Sequence, residues 1–363
     1  YFNPAGMTRL PGTRAAAAVH LVKPKTEFDN EGTSYVNTLP ISGGDGGDAG
    51  GLASIPHFYL THALSAKTWF GLAVNVPFGL ATEYDSDWVG RYHAIKSEVK
   101  TININPSLAY KVNEQLSVAL GVSAMYLEGE FTQAVDWGLL SGALPGSNDG
   151  KAEIEGDAWG WGFNVGALFE PSPGSRIGVH FRSEVDQDIE GDIDYSNVPV
   201  ALQPVFFDTG AEADVDLPAT VSISGFHQLN REWAIVGDYT WTGWSSIPEL
   251  RFDFDASGPA ASSTVTFDWQ DTSRVALGAI HTPNGSDWTY RFGAAYDESP
   301  IRNAETRSAR LPDNDRIWVA VGAGYNPSKD LRIDFGYAHL FIDDAKIRKT
   351  ATGEDLARGA LKG

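Results

Sequence analysis

Apolar residues recur at every second position over unusually long stretches of this chain. From Leu116 to Tyr126 one face carries Leu116, Val118, Leu120, Val122, Ala124 and Tyr126, and the other carries Ser117, Ala119, Gly121, Ser123 and Met125. Trp233, Ile235, Tyr239 and Trp241 share a face opposite Glu232, Ala234, Asp238, Thr240 and Thr242. Leu331, Ile333, Phe335, Tyr337 and Phe341 oppose Arg332, Asp334 and Gly336. Side chains on a strand point alternately to the two faces of its sheet, so these are strands with one greasy and one polar or small face. Their length matters. A strand in a soluble protein runs about 5–6 residues, whereas a tilted strand crossing a bilayer needs about 9–11.

The pattern divides into segments at 13–25, 52–64, 68–83, 97–111, 115–131, 153–170, 175–190, 213–228, 232–253, 264–282, 288–298, 314–325 and 330–348. Tight turns at Asn113-Glu114, Ser172-Pro173-Gly174, Asn230-Arg231, Asn284-Gly285-Ser286 and Asn326-Pro327-Ser328 alternate with long polar links around 26–51, 85–96, 133–152, 191–212 and 299–312. Short turns on one side and long loops on the other mark an outer-membrane barrel. Aromatics such as Tyr126, Trp233, Trp241 and Tyr325 end the apolar faces, where interfacial girdles belong. The expected fold is therefore all-β, a transmembrane antiparallel barrel with thirteen recognisable strands. Bacterial barrels have an even count, so a fourteenth is expected to be missing. The expected division is 1–12 as an N-terminal segment, 13–350 as barrel and 351–363 as a charged, Gly-rich tail.

Composition narrows the partners. With 27 basic and 47 acidic residues the formal charge is −20, which excludes a phosphate-backbone binder. There is no cysteine, hence no disulfide or thiolate metal site. Eleven Trp, 13 Tyr, 18 Phe and 39 Gly suit a barrel with a wet interior. No apolar run approaches the roughly 18 residues of a membrane helix. The start, Tyr1-Phe2-Asn3-Pro4-Ala5-Gly6, has no leader character and reads as a mature or truncated product beginning inside a motif.

Several strings resemble, in order, the long-chain fatty-acid and aromatic-hydrocarbon transporters of bacterial outer membranes. They are Asn3-Pro4-Ala5-Gly6-Met7, Gly79-Leu80-Ala81-Thr82-Glu83-Tyr84, Phe181-Arg182-Ser183-Glu184-Val185, Leu217-Pro218, Trp233-Ala234-Ile235, Arg274-Val275-Ala276-Leu277-Gly278, Asp297-Glu298-Ser299-Pro300 and Leu311-Pro312-Asp313-Asn314-Asp315-Arg316. The resemblance implies a fourteen-strand barrel closed by an N-terminal hatch, of which Asn3, Pro4, Ala5 and Gly6 are the end. It implies capture of a hydrophobic small molecule among extracellular loops and sideways release at a kink in the third strand. It also implies a multi-pass protein of a Gram-negative outer membrane, in contact with lipid and lipopolysaccharide, monomeric, without cofactor and not an enzyme.

Pro77 falls in mid-strand, flanked by Val76, Phe78 and Gly79. Proline removes a ladder donor, so the alternatives are a lateral gate and an ordinary bulge. Trp137, Leu139, Leu140 and Leu144 in one loop and Val205, Phe206 and Phe207 in another form either a capture groove or the loops' own cores. Arg182, Glu184, Asp271, Arg274, Asp313, Asp315 and Arg316 read as structural charges. The family's carboxylate-binding basic positions map onto Gln133 and Gln270, which donate hydrogen bonds without charge. Long-chain fatty acid is the favoured cargo, with an uncharged alkane or monoaromatic as alternative. A general porin and a structural or adhesive barrel stand behind these. Gly43-Gly44-Asp45-Gly46-Gly47-Asp48 reads as a flexible loop and not a calcium repeat, and no metal site is expected.

Overall fold

The computed structural model describes residues 2–36, 38–256 and 261–363, so Tyr1 of the expected hatch segment lies outside the described residues. Eighteen strands form one antiparallel sheet, each stave hydrogen-bonded to the next in sequence. Undivided staves are β1 (Thr13–Val22), β2 (Ala53–Ala63), β5 (Lys96–Lys111), β6 (Leu116–Asp136), β7 (Asp149–Ser172), β16 (Trp288–Asp297), β17 (Arg316–Ser328) and β18 (Leu331–Ile342). Five others are broken in two: β3 (Thr68–Asn75) with β4 (Gly79–Glu83), β8 (Ser175–Arg182) with β9 (Val185–Tyr195), β10 (Thr209–Leu217) with β11 (Thr220–Gln228), β12 (Trp233–Thr242) with β13 (Glu249–Phe254), and β14 (Ser262–Thr266) with β15 (Thr272–His281). The staves match the thirteen segments in number and order. The expected 330–348 strand is shorter because the chain leaves the sheet after Ile342, at Asp343-Asp344. The edges of the sheet are β1 and β18, both exposed along nearly their whole length.

The alternation changes sign partway up the wall. On β7 the outward residues Val165, Phe163, Trp161 and Trp159 are apolar and exposed, and the next outward ones are Asp157 and Glu155. On β9 the outward positions are Asp186, Asp188, Glu190, Asp192 and Asp194, while Val185 and Ile193 point in and are buried. Likewise Leu250, Phe252 and Phe254 of β13 are buried between exposed Glu249, Arg251 and Asp253. Lipid dictates apolar-out below this line and water dictates apolar-in above it. The Tyr126–Trp159 ring pair, 5.3 Å apart, marks the boundary, where amphipathic rings are favoured.

Packed segments lie at the two ends. At the tight-turn end, Pro4–Arg9 forms a 3-10 turn capped by the Asn3 side chain, which accepts from Ala5 N. Asn3 Nδ2 donates to the carbonyls of Ala167 and Val179, Thr8 donates to Ser117, Trp69 Nε1 donates to Leu10 O, and Arg9 pairs with Glu170. Gly71 makes room for Met7: a Cβ there would sit 2.2 Å from its sulfur. At the long-loop end, Phe28, Tyr35, Ile41, Tyr84, Trp88 and Tyr92 pack with Ile347 and Leu361. Residues 351–363 are docked through a 3-10 turn at Gly353–Asp355 and a short antiparallel pairing of Leu361–Lys362 with Arg348–Lys349, with Leu361 fully buried and Lys362 O accepting from Glu31 N.

Candidate functional site

The break in the third stave is a one-residue bulge. Asn75 pairs with Asn103 and Gly79 with Lys100, so Val76, Pro77 and Phe78 oppose only Thr101 and Ile102. The Thr101 hydroxyl bridges the irregularity, accepting from Phe78 N at 3.1 Å and donating to Phe78 O at 2.6 Å. An extra residue reverses which side chains face in. Below the bulge Trp69, Gly71, Ala73 and Asn75 point into the barrel; above it Thr82 does, and Gly79, Ala81 and Glu83 are exposed. Phe78, which an unbroken strand would point at lipid, turns inward against Met125, Leu127, Val185 and Leu217.

Near the bulge the third stave also parts from β2. The ladder between them ends at Phe58↔Val74, while β2 stays paired with β1 up to Ala53↔Val22. Contact resumes higher up, where Gly50 bridges Thr82 and Glu83 N donates to Ala49 O. Between these two closures the wall carries no β2–third-stave pairing. It is a window with rims 51–57 and 75–81, on the order of 20 Å long at about 3.3 Å per residue. Its lower end is level with Ile104, Ala124 and Trp161, inside the apolar belt, and its upper end with Glu98 and Glu130, above it.

Behind the window the lumen is apolar. Rings run from the loop side to the bulge in edge or stacked contact: Phe267–Trp269 at 4.5 Å, Trp269–Trp244 at 5.5 Å and Trp244–Phe78 at 5.9 Å. Phe131 and Phe252, 5.4 Å apart, belong to the same cluster. Directly beneath is a polar floor. Asn103 donates to Asn75, Asn164 to Asn105, Ser107 to Asn105 and Arg182 to Ser123, all buried. The ring series thus lies directly above a hydrogen-bonded polar layer and beside the unpaired stretch of wall.

The predicted residues fall as follows. Val76, Pro77, Phe78 and Gly79 form one rim of the window. Asn3, Pro4, Ala5 and Gly6 seat against the lower wall; the segment reaches the third stave at Gly71, below the window. The two apolar loops meet: Trp137 is fully buried, 5.1 Å from Phe206 and 6.0 Å from Tyr195, with its Nε1 on Ser196 O. Leu139 and Val205 are half-buried, and Leu140, Leu144 and Phe207 are exposed, so the loops have both a core and a greasy outer surface. Gln270 is exposed and bonds Ser299 O and Pro300 O, whereas Gln133 accepts from Arg310 at 2.7 Å. Among the charges, Arg316 pairs with Asp313 and Asp297, Arg274 lies 4.0 Å from Asp238, Asp271 accepts from Ser245 N, and Asp315 accepts from Tyr296 and Ser299 N. Glu184 is exposed at the break between β8 and β9.

Sequence reasoning missed Trp244, Trp269 and Arg310. Trp244 and Trp269 sit in the breaks inside staves, where no periodicity assigns a face. Arg310 is buried, with Nη1 donating to Ser97 Oγ at 3.1 Å and its guanidinium carbon 5.6 Å from the Phe131 ring centre. Its Nε is buried without a hydrogen-bond partner, and no carboxylate lies within ion-pair distance among the described residues. Burial, helped by Arg358, pushes its pKa down to about 9.

The profile of the family described as "Outer membrane protein transport protein (OMPP1/FadL/TodX)" matches residues 1–363. A putative outer membrane protein of Neisseria meningitidis serogroup B is 28% identical, covering 99% of this chain and 84% of its own length. The long-chain fatty acid transport protein of Salmonella typhi is 30% identical over 82% of this chain and 72% of its own. The crystal structure of a Pseudomonas aeruginosa FadL homologue superimposes with a TM-score of 0.90 at 25% identity, covering 99% and 89% of the two chains. The Ralstonia pickettii toluene transporter TbuX shares the fold, with a TM-score of 0.68 at 21% identity and coverage of 96% and 88%.

Proposed function

Because the chain belongs to the OMPP1/FadL/TodX family of outer membrane transport proteins, we propose that its cargo is a long-chain fatty acid that leaves the barrel sideways through the window at Val76–Gly79. The protein is an outer-membrane transporter of hydrophobic compounds and not an enzyme. The observation that carries the lateral route is the unpaired stretch between β2 and the third stave, with Phe78 turned in from its rim onto the ring series Trp244, Trp269 and Phe267.

Energetics favour that route. An alkyl chain moving along these rings and out into lipid exchanges one apolar contact for another, retaining about 25 cal/mol per Å² of its burial. Passage down the axis breaks the Asn75, Asn103, Asn105 and Asn164 network, and each buried group left unsatisfied costs about 1–3 kcal/mol. The exposed Leu140, Leu144 and Phe207 supply a first contact for an apolar chain at the mouth. Arg310, a buried cation without a carboxylate, favours a fatty acid over an uncharged hydrocarbon.

The test is chemical. Protein purified in a detergent that is not itself a carboxylic acid is extracted with solvent, and the extract is analysed by mass spectrometry. Carboxylic acids at near-stoichiometric amounts support the proposal; alkanes or monoaromatics alone support the alternative cargo. Large steady conductance in planar bilayers would instead identify an open porin.

A further inference from the structure

The rim opposite Pro77 also carries a proline. Pro56 lies inside β2, in a wall where strand prolines are confined to edges and bulges. Backbone directions locate its missing donor. Ala63 N donates to Gly12 O, toward β1, and Leu64 N donates to Thr68 O, toward the third stave. Successive residues of a strand point their N–H and C=O to opposite neighbours. The registers of β2 with both partners are unbroken, so even-numbered residues of β2 face the third stave. On that stave Lys67 O accepts from Lys111 and Thr68 O from Leu64, so Val74 and Val76 face β2. Phe58↔Val74 is therefore a pair that exchanges both hydrogen bonds. The next such pair up the ladder is Pro56↔Val76, and Pro56 has no N–H to give.

We infer that Pro56 is a positioning residue for lateral release: it stops the β2 ladder and sets the lower end of the window. This inference rests on the lateral-exit reading. The bulge by itself does not account for the lower end. It turns the N–H and C=O of Phe78 onto Thr101 and so removes the pair Ser54↔Phe78, but it leaves Val76 still facing β2. Without Pro56 the ladder would climb one further double-bonded pair, about 7 Å along the strand.

The wall contains its own control. Pro106 interrupts β5, and its missing donor faces β6, because Val112 N donates to Leu116 O and even residues of β5 point that way. There the Asn105 side chain takes over, its Nδ2 donating to Val122 O at 2.8 Å, the carbonyl opposite Pro106. The wall stays closed at Pro106. No side chain does the same for Val76 O among the described residues.

The experiment compares wild type, Pro56→Val and a variant lacking Pro77, each expressed in cells with no other route for a radiolabelled C18 fatty acid. Pro56→Ala is run alongside in case valine impairs assembly. The prediction is that Pro56→Val lowers uptake by a factor on the order of five, the population shift that one net hydrogen bond gives. Hydrogen exchange should show the backbone amide gained at position 56 protected. Free exchange of that amide, or wild-type uptake by Pro56→Val while the variant lacking Pro77 is blocked, overturns the role of Pro56 and leaves lateral exit standing. Wild-type uptake by both variants overturns lateral exit itself, and this inference with it.

Discussion

Replacing Arg310 by Met separates the two candidate cargoes. The guanidinium donates to Ser97 Oγ at 3.1 Å, Lys96 O at 3.4 Å and Gln133 Oε1 at 2.7 Å, and its Nε has no partner. All of its bonds are thus to neutral acceptors. A buried charge without an opposite one is costly, and the depressed pKa of about 9 expresses that cost. A carboxylate arriving at Arg310 would relieve it. Hydrogen bonds to charged groups contribute about 1.5–3 kcal/mol, which corresponds to roughly 10–150-fold in affinity. Arg310→Met is expected to weaken binding of a C18 fatty acid by about that factor, in titration calorimetry on detergent-solubilised protein. Binding of a C16 alkane should change less than about threefold. Equal losses for acid and alkane, or no loss for the acid, would refute the role of Arg310.

The same geometry yields two more expected outcomes. Trp244→Ala removes the ring joining Phe78 to Trp269; it should slow C18 uptake severalfold while leaving the barrel folded, as read by its heat-dependent gel mobility, and unchanged uptake would remove the ring series from the route. His93 is held neutral by burial and by Arg358, Lys349 and Arg310, with a pKa pushed down to about 3, its ring near Asp355 and Gly359 O. The unfolded segment binds a proton near 6.5 that the folded one refuses, so stability of the outer cap should fall by about 1.4 kcal/mol per pH unit below about 6.5 and level off near 3. Trypsin cleavage within 343–363 at pH 7 and pH 5 reads this, and His93→Asn should flatten the dependence.

The staves were legible because lipid imposes one rule on every outward side chain for a whole crossing. Val118, Leu120 and Val122 on β6 obey it without reference to any other strand. The window was half legible. Pro77 disturbs its own strand and is visible in one line of sequence, but Pro56 acquires meaning only once its neighbour is known to face it, and pairing is not a local property. The ring series was not legible. Trp244 and Trp269 belong to breaks inside staves, and in the upper lumen the apolar face has changed sides, so Leu250, Phe252 and Phe254 extend the rhythm of 232–253 with reversed orientation. Arg310 lies in a loop where charge is ordinary until burial and the lack of a carboxylate are seen. The tail 351–363 has no alternation because it serves the cap, through Leu361 and Asp355, rather than the wall.

The central claim is that cargo leaves through the side of the barrel at the bulge. Deleting Pro77 brings the residues opposite Thr101 and Ile102 from three to two and restores a regular alternation from Thr68 to Glu83, in which Phe78 follows outward-facing Val76 and keeps facing the lumen. Uptake of a radiolabelled C18 fatty acid by cells dependent on this protein is the measurement. Lateral release predicts uptake reduced to background in a barrel that still folds and inserts; uptake at the wild-type rate through that regular wall would contradict it.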